Sequence, residues 1–201
     1  MTRAGDIEVH RSYMVDSDTE APWFPMPLGE RQASWRKDWA AQCAEAMQLM
    51  HGEKPKWRRS RQLRDRLVEF SSAFAAFPAH YAYLFSPTPG GPLQPGFSVV
   101  FASEGDRDET LRDSVRGNSR QLLEPFAPEP FTGALLGDGL RAVNRWQDAS
   151  AGEVMSVRYA WRVPQAAVDV AFYVVGDDPQ FMRAHLADFD AYARTLFLRD
   201  L

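Results

Sequence analysis

The residue types that most often do chemistry are sparse and scattered in this 201-residue chain. None of the four histidines stands three or four positions from another, the spacing that places two zinc ligands on one face of a helix. A site assembled from distant histidines would leave no such signature. The histidines are His10, His51, His80 and His185. The sequence therefore predicts no metal site.

Nucleophiles and cofactor motifs give equally little signal. The one cysteine, Cys43, stands at helical spacing from Ala40 and Met47, which favours a buried small hydrophobe over a nucleophile. The Gly90-Gly91 pair lacks the lysine and hydroxyl residue of a phosphate-binding loop, and no serine lies in a Gly-x-Ser-x-Gly elbow. We predict no catalytic residue and no cofactor, and we expect a protein that is not an enzyme.

Two pairs of carboxylates could in principle serve acid–base catalysis. Asp177 and Asp178 come directly before Pro179, where a helix-capping role explains them. Asp188 and Asp190 fall on the polar side of the helix predicted to close the chain. Neither pair requires a catalytic function.

The most basic stretch of the chain surrounds Arg58, Arg59 and Arg61, at the predicted start of the second helix. Such a cluster can bind phosphates or an acidic protein, although a solvated helix start is the simpler explanation. The rest of the chain has no basic surface of comparable density. We treat the three arginines as one part of a candidate partner surface.

A proline-rich aromatic segment, Pro22 to Leu28, supplies the other part of that surface. Its three prolines exclude a helix, and its apolar residues favour an extended segment packed on the core. The same composition is also typical of an exposed docking ligand, which would place Trp23 and Phe24 at a partner. The leading hypothesis is a binding or accessory protein that engages a protein partner or a second copy of itself.

The alternative hypothesis is a small-ligand-binding protein or an enzyme. Its pocket would lie between sheet and helices and be lined by aromatic side chains, with Arg158 or Arg162 as polar groups. The aromatic residues are Trp146, Tyr159, Trp161 and Tyr173. The same four residues could equally be ordinary core.

Composition limits the partners further. The formal net charge is −4, with 12 Lys and Arg against 10 Asp and Glu in residues 1–66, and 11 against 17 in residues 67–201. Neither part resembles a strongly basic nucleic-acid binder, so nucleic acid is not an expected partner. No apolar run reaches the length of about 18 residues that a membrane span needs, and residues 1–10 are too polar for a secretion signal. We therefore expect a cytoplasmic protein without a membrane contact.

The clearest periodicity in the chain lies between Gly139 and Leu201. Alternation of apolar and polar residues predicts a meander of three strands, over Leu140–Trp146, Met155–Val163 and Val168–Val174. Apolar residues then recur every three or four positions from Met182 to Leu196, which predicts one helix across the sheet.

The same signals predict the elements upstream. The first helix, Gly29–His51, is expected to bury a stripe made of Trp35, Trp39, Cys43, Met47 and Met50. A capping box at Asp106 predicts another helix, and three prolines predict an irregular connection over Glu124–Gly133. The remaining predictions are an edge strand over Ile7–Val15, a loop over Asp16–Glu20, a helix over Arg58–Phe77, and strands over Tyr81–Phe85 and Phe97–Ala102.

Together these elements predict a single α+β domain over residues 1–201. Its antiparallel sheet would have about six strands, covered by helices as an α/β/α sandwich. Residues 30–77 would form a helical pair packed on the main sheet or inserted before it.

The element order, together with the segment Leu136-Gly137-Asp138-Gly139-Leu140-Arg141-Ala142, resembles the PsbP-like fold family over roughly residues 81–201. This family includes a photosystem extrinsic protein, a Ran-binding nuclear import factor and many actinobacterial proteins. The resemblance implies a protein that acts by binding and assembly, because the family shares no catalytic residues. The tryptophan- and arginine-rich helices of residues 30–77 depart from the family pattern.

Overall fold

A computed structural model of the chain describes residues 13–17, 22–29, 33–50, 52, 57–88, 90–117 and 121–200. The strands within them are β1 (Tyr13–Ser17), β2 (Trp23–Met26), β3 (Tyr81–Phe85), β4 (Gln94–Ala102), β5 (Glu129–Gly133), β6 (Gly137–Asp148), β7 (Gly152–Val163), β8 (Val168–Gly176) and β9 (Leu196–Asp200). The helices are α1 (Ala33–Met50), α2 (Trp57–Ala73), α3 (Arg107–Arg116), α4 (Pro179–Ala184) and α5 (Leu186–Thr195).

The main sheet is open and antiparallel, with the strand order β2-β3-β4-β8-β7-β6-β5. The predicted α+β class is therefore confirmed, with seven strands in this sheet rather than about six. The predicted three-stranded meander is also confirmed and corresponds to β6, β7 and β8. A separate two-stranded sheet pairs β1 with β9.

The chain forms two compact units. Unit 1 comprises Met1–Asp18 and Ser98–Leu201, and unit 2 comprises Thr19–Phe97. The boundary falls inside β4, a strand whose residues belong partly to each unit. The single domain predicted for residues 1–201 stays a prediction, and each unit is described by itself below.

The strand register of unit 1 separates the meander side chains into two sets. Arg141, Tyr159 and Phe172 are paired across three neighbouring strands and share what we call the α5 face, since Phe172 contacts Tyr192 of α5 at 5.4 Å between ring centres. Next to them, Ala142 and Arg158 point the opposite way. We call their side the α3 face.

Helix α3 packs against the α3 face of the meander. Leu111 and Val115 are buried there with Ala142 and Ala160 in one apolar cluster. The helix begins as its capping box predicts, because Asp106 Oδ1 accepts a hydrogen bond from the backbone N–H of Glu109 at 3.0 Å. Helices therefore cover both faces of the meander within unit 1.

The closing helix differs from the prediction at two points. It is divided at His185 into α4 and α5, and the apolar stripe ends at Leu196, which begins strand β9 rather than a last helical turn. Its start agrees with the sequence, since Asp178 Oδ1 accepts from the backbone N–H groups of Gln180 and Phe181 at 3.0 Å each. A periodic stripe gives the face of a helix, but it does not show that the helix is continuous.

Two other strands were missed or misplaced. Strand β5 lies in the segment expected to be irregular, because Pro130 is tolerated in an edge strand, where its missing N–H is not needed. Strand β1 takes in Asp16 and Ser17, which were expected to lie in a loop, because β9 pairs with them. Residues 7–12 of the predicted edge strand lie outside the described residues.

In unit 2, helices α1 and α2 share a core that also includes Phe24 and Leu84. The predicted α1 stripe is wrong at both ends, since Trp35 is 52% exposed and Met50 is 41% exposed. The buried side of α1 instead follows small residues, Ala40, Cys43 and Ala44, with Met47. Small side chains allow close helix packing, so the buried face of α1 is centred on them. A stripe chosen from the large apolar residues therefore extends beyond the part of α1 that is buried.

Candidate functional site

The predicted aromatic pocket is wrong as a single site, because its four residues lie on opposite faces of the meander. Tyr159 and Trp161 point to the α5 face. Tyr173 is paired with Arg158, and Trp146 is an even-numbered residue of β6 like Ala142, so both belong to the α3 face. Both alternating sets of β6 mix apolar and polar residues, so alternation alone could not show which set faces which side.

The two aromatic residues of the α5 face belong to a closely packed core. The rings of Tyr159 and Trp161 stack at 6.0 Å with 6° between their planes, and Phe131 covers Tyr159 at 4.8 Å. Both stacked side chains are fully buried. For this half of the predicted pocket, the plain-core alternative is the one the structure supports.

Three polar side chains on the α5 face, Arg141, Tyr159 and Asp190, are paired with one another. Asp190 Oδ1 accepts from Arg141 Nε at 2.7 Å and from the Tyr159 hydroxyl at 2.7 Å, while Arg141 also bridges to Glu129. Burial, followed by the Asp190 charge, raises the pKa of Tyr159 well above its usual value. This arrangement keeps Tyr159 protonated, so it is a hydrogen-bond donor to Asp190 rather than a base.

Two further meander arginines also have acidic partners. Arg145 contacts Glu153 at 2.6 Å and bridges to Glu124. On the α3 face, Arg162 forms a two-pronged pair with the fully buried Asp169, through Nε at 2.8 Å and Nη2 at 2.9 Å. These charges are balanced within unit 1.

Arg158 is the exception among the four arginines of β6 and β7. Its only hydrogen bond among the described residues is a long one, 3.4 Å from Nε to Ser156 Oγ, and no described carboxylate lies within ion-pair distance. Its guanidinium Cζ lies 5.0 Å from the centre of the Tyr173 ring. The side chain is half-buried, and burial lowers the pKa of Arg158. The sequence put forward Arg158 and Arg162 equally, and only the register showed which of them has an acid.

The two parts of the candidate partner surface differ in solvent exposure. Trp23 is 5% exposed and Phe24 is 9% exposed, and Trp23 packs on Phe85 at 5.0 Å between ring centres. The segment therefore lies in an extended strand packed on the core, which was the favoured reading of its composition. Little of either side chain is left for a partner to contact.

The three arginines of the same prediction are exposed on α2. The end of α1 lies near the start of α2, because Gln48 Oε1 accepts from Ser60 Oγ at 2.9 Å, and the last two residues of α1 are exposed apolar residues. We call this combined surface the α1–α2 corner; its members are Leu49, Met50, Arg58, Arg59 and Arg61. The sequence missed the apolar members, because Met50 was assigned to the buried stripe.

Electrostatics make the α1–α2 corner a positive surface. The first turn of α2 has no acidic residue, although the N-terminus of a helix carries a partial positive charge that an acidic side chain would offset. Arg58 and Arg59 occupy that turn instead. Arg61 pairs with Asp65 at 3.8 Å, but both side chains are largely exposed, so water and salt screen the pair.

Comparison with known protein families and with characterised proteins found no match for this chain. The resemblance to the PsbP-like family therefore has no support from a relative.

Among the described residues, no three acidic, histidine or cysteine side chains come together as a metal ion would require. No described helix is both long and apolar enough to span a membrane. Burial raises the pKa of Cys43 to about 12, so the thiol stays protonated and is a poor nucleophile.

Proposed function

We propose that this chain is a binding protein that engages a protein partner through the α1–α2 corner. The observation that carries the proposal is the exposure of two large aliphatic side chains beside three exposed arginines, with Leu49 at 61% and Met50 at 41%. Exposed apolar side chains contribute area to an interface, while a positive rim steers an acidic partner and sets its orientation. The resemblance of residues 81–201 to a family of binding and assembly proteins favours the binding class, whereas the corner itself lies in the helices that depart from that family's pattern.

The chemistry of the corner indicates the kind of partner. A region that combines exposed apolar side chains with exposed arginines fits a protein face that presents acidic groups near an apolar contact. A second copy of the chain is the simplest protein to test, because residues 67–201 have more acidic than basic residues, 17 against 11. Self-association is therefore measured first.

Leu49→Glu is the variant that tests the corner, and Leu135→Glu is its matched control. Leu135 is 63% exposed in the turn between β5 and β6, so both changes place a carboxylate at an exposed leucine. Light scattering up to about 100 µM measures self-association, and affinity capture from the source cells recovers other partners. The proposal expects a complex that wild type and Leu135→Glu form and Leu49→Glu does not.

An arginine variant distinguishes a specific complex at the corner from nonspecific association of exposed apolar side chains. Arg58→Glu with Arg61→Glu should weaken the same complex and reduce its dependence on salt, because both charges lie at the predicted contact. A complex that survives both the leucine and the arginine changes contradicts the corner as its site. A chain that stays monomeric and recovers no protein in a corner-dependent manner contradicts the function itself.

A further inference from the structure

Arg158, which has no acidic partner among the described residues, lies in unit 1, whereas the α1–α2 corner lies in unit 2. Removing a guanidinium from water costs free energy unless an acid or several hydrogen bonds compensate it. Arg141, Arg145 and Arg162 have that compensation from carboxylates. Arg158 has one long hydrogen bond and an aromatic ring, which leaves both Nη groups without a described acceptor.

The described residues around the guanidinium contact it without supplying an acid. Gly117 follows α3 and lies so close that a Cβ atom there would be 2.4 Å from Arg158 Cζ. Arg158 Cζ lies over the Tyr173 ring, 5.0 Å from the ring centre. The group is thus enclosed by a glycine backbone and a ring, and neither is an acid.

The end of α3 does not supply the missing acceptors. A helix C-terminus is a common partner for an arginine, because its last carbonyl groups lack intrahelical donors. Here Asn144 Nδ2 donates to the carbonyl of Val115 at 2.8 Å and to that of Arg116 at 3.3 Å. Asn144 therefore caps these carbonyls, and no hydrogen bond joins them to the Nη groups of Arg158 within the described part of the chain.

We propose that Arg158, whose guanidinium lies over the Tyr173 ring and beside Gly117, binds the oxyanion group of a small ligand on the α3 face. The planar fork of an arginine matches the two oxygens of a carboxylate or phosphate, and charge-assisted bonds of this type are the strong ones. A bound anion would supply the negative charge that Arg141, Arg145 and Arg162 each receive from an acidic residue. Because burial lowers the pKa of Arg158, an anion should also raise that pKa again.

The test follows the Nε–H signal of Arg158 in nitrogen–proton spectra of the full chain. Sodium phosphate and sodium acetate are titrated separately, with sodium chloride keeping the ionic strength constant. The proposal expects a saturable shift with an apparent dissociation constant in the millimolar range, about 1–10 mM, for at least one anion. The anion that saturates at the lower concentration identifies phosphate or carboxylate as the ligand group.

Two variants and a control locate the binding. For the variants, binding is measured from the shifts of backbone amide signals. Arg158→Gln should weaken binding at least about tenfold. Arg112→Gln, which changes an exposed arginine of α3, should alter the dissociation constant less than about twofold. Gly117→Ala keeps the charge of Arg158 but displaces its guanidinium, so it should weaken binding as well. This second variant decides the question if Arg158→Gln does not fold.

Either of two results overturns the site. One is the absence of saturation with both anions up to about 50 mM. The other is a dissociation constant that the Arg158 and Gly117 variants leave within about twofold of wild type, which would show an adventitious ion only.

Discussion

Arg141 and Asp190 are 49 residues apart in the chain, yet Arg141 Nε lies 2.7 Å from Asp190 Oδ1 and ties strand β6 to helix α5. The same oxygen accepts the Tyr159 hydroxyl of the neighbouring strand. One carboxylate thus joins two strands to the helix that covers them. Both ion-pair partners are largely buried, so the bond is less screened than a surface pair.

Asp190→Asn is expected to lower the free energy of unfolding of unit 1 by about 2 kcal/mol. The neutral amide no longer balances Arg141 and is a weaker acceptor for Tyr159. Chemical denaturation measures the change. Asp177→Asn, at an exposed carboxylate, is the matched control and should cost less than about 0.5 kcal/mol. Equal losses in the two variants would contradict the role of Asp190.

Tyr159→Phe should cost about 1.5 kcal/mol, because it removes one hydrogen bond to a charged acceptor and keeps the ring in its stack. Combined with Asp190→Asn, it should cost clearly less than the sum of the two single changes, since Asp190→Asn already weakens the bond that Tyr159→Phe removes. A double-mutant cycle in denaturant measures this coupling. Strict additivity would contradict the prediction that the Tyr159 hydroxyl is stabilised by the charge of Asp190.

Gly139→Ala should destabilise the meander by about 2–3 kcal/mol. An added Cβ would lie 2.3 Å from the carbonyl oxygen of Ala160 and 2.5 Å from Cδ1 of Trp161, and the backbone atom cannot swing aside. Gly137→Ala is the control in the same strand, where nothing lies within 4 Å but φ is +78°. That change should cost about 1 kcal/mol, so a thermal melt that ranks the two variants in reverse would contradict the packing argument.

Ala167→Gly should stabilise unit 1 by up to about 1 kcal/mol. Ala167 has φ of 53° and ψ of 36°, a left-handed conformation that strains an alanine but not a glycine. Ala166→Gly is the control, because Ala166 precedes Ala167, lies in the 3₁₀ turn and gains nothing from glycine. Melting temperatures that fall equally for both variants would contradict the prediction.

Stability should depend on Cys43 at alkaline pH. Its pKa is about 12 in the folded chain against 9.0 for a free thiol, so the fold favours the protonated form. That contribution is complete below pH 9 and is lost as the pH rises towards about 12, because the unfolded thiol ionises first. Between pH 7 and about pH 10.5 the loss should be roughly 2 kcal/mol.

Cys43→Ala separates this loss from the ionisation of tyrosines, which both proteins share. The variant should be less stable than wild type at pH 7, since a buried sulfur is removed, but its stability should fall less steeply with pH. Denaturant titrations at the two pH values give the difference. Parallel curves would show that Cys43 ionises as easily in the folded chain as in the unfolded one.

The sequence by itself determined the elements whose signals are local. Period-two alternation located β6, β7 and β8, and the acidic caps at Asp106 and Asp178 located two helix starts. Each signal depends on residues a few positions apart, because side-chain direction and backbone capping are set by the neighbouring chain. The same reasoning placed Arg58, Arg59 and Arg61 on an exposed helix.

Only the tertiary structure decided which residues meet. Alternation divides the side chains of each strand into two sets but does not show which set of one strand shares a face with which set of the next. The register between β6 and β7 decides this, and it places Trp146 and Tyr159 on opposite faces. The tertiary structure also gave Arg162 a carboxylate, whereas Arg158 has none among the residues that the structure describes. Burial and charge balance depend on groups brought together from distant parts of the chain, so no local pattern contains them.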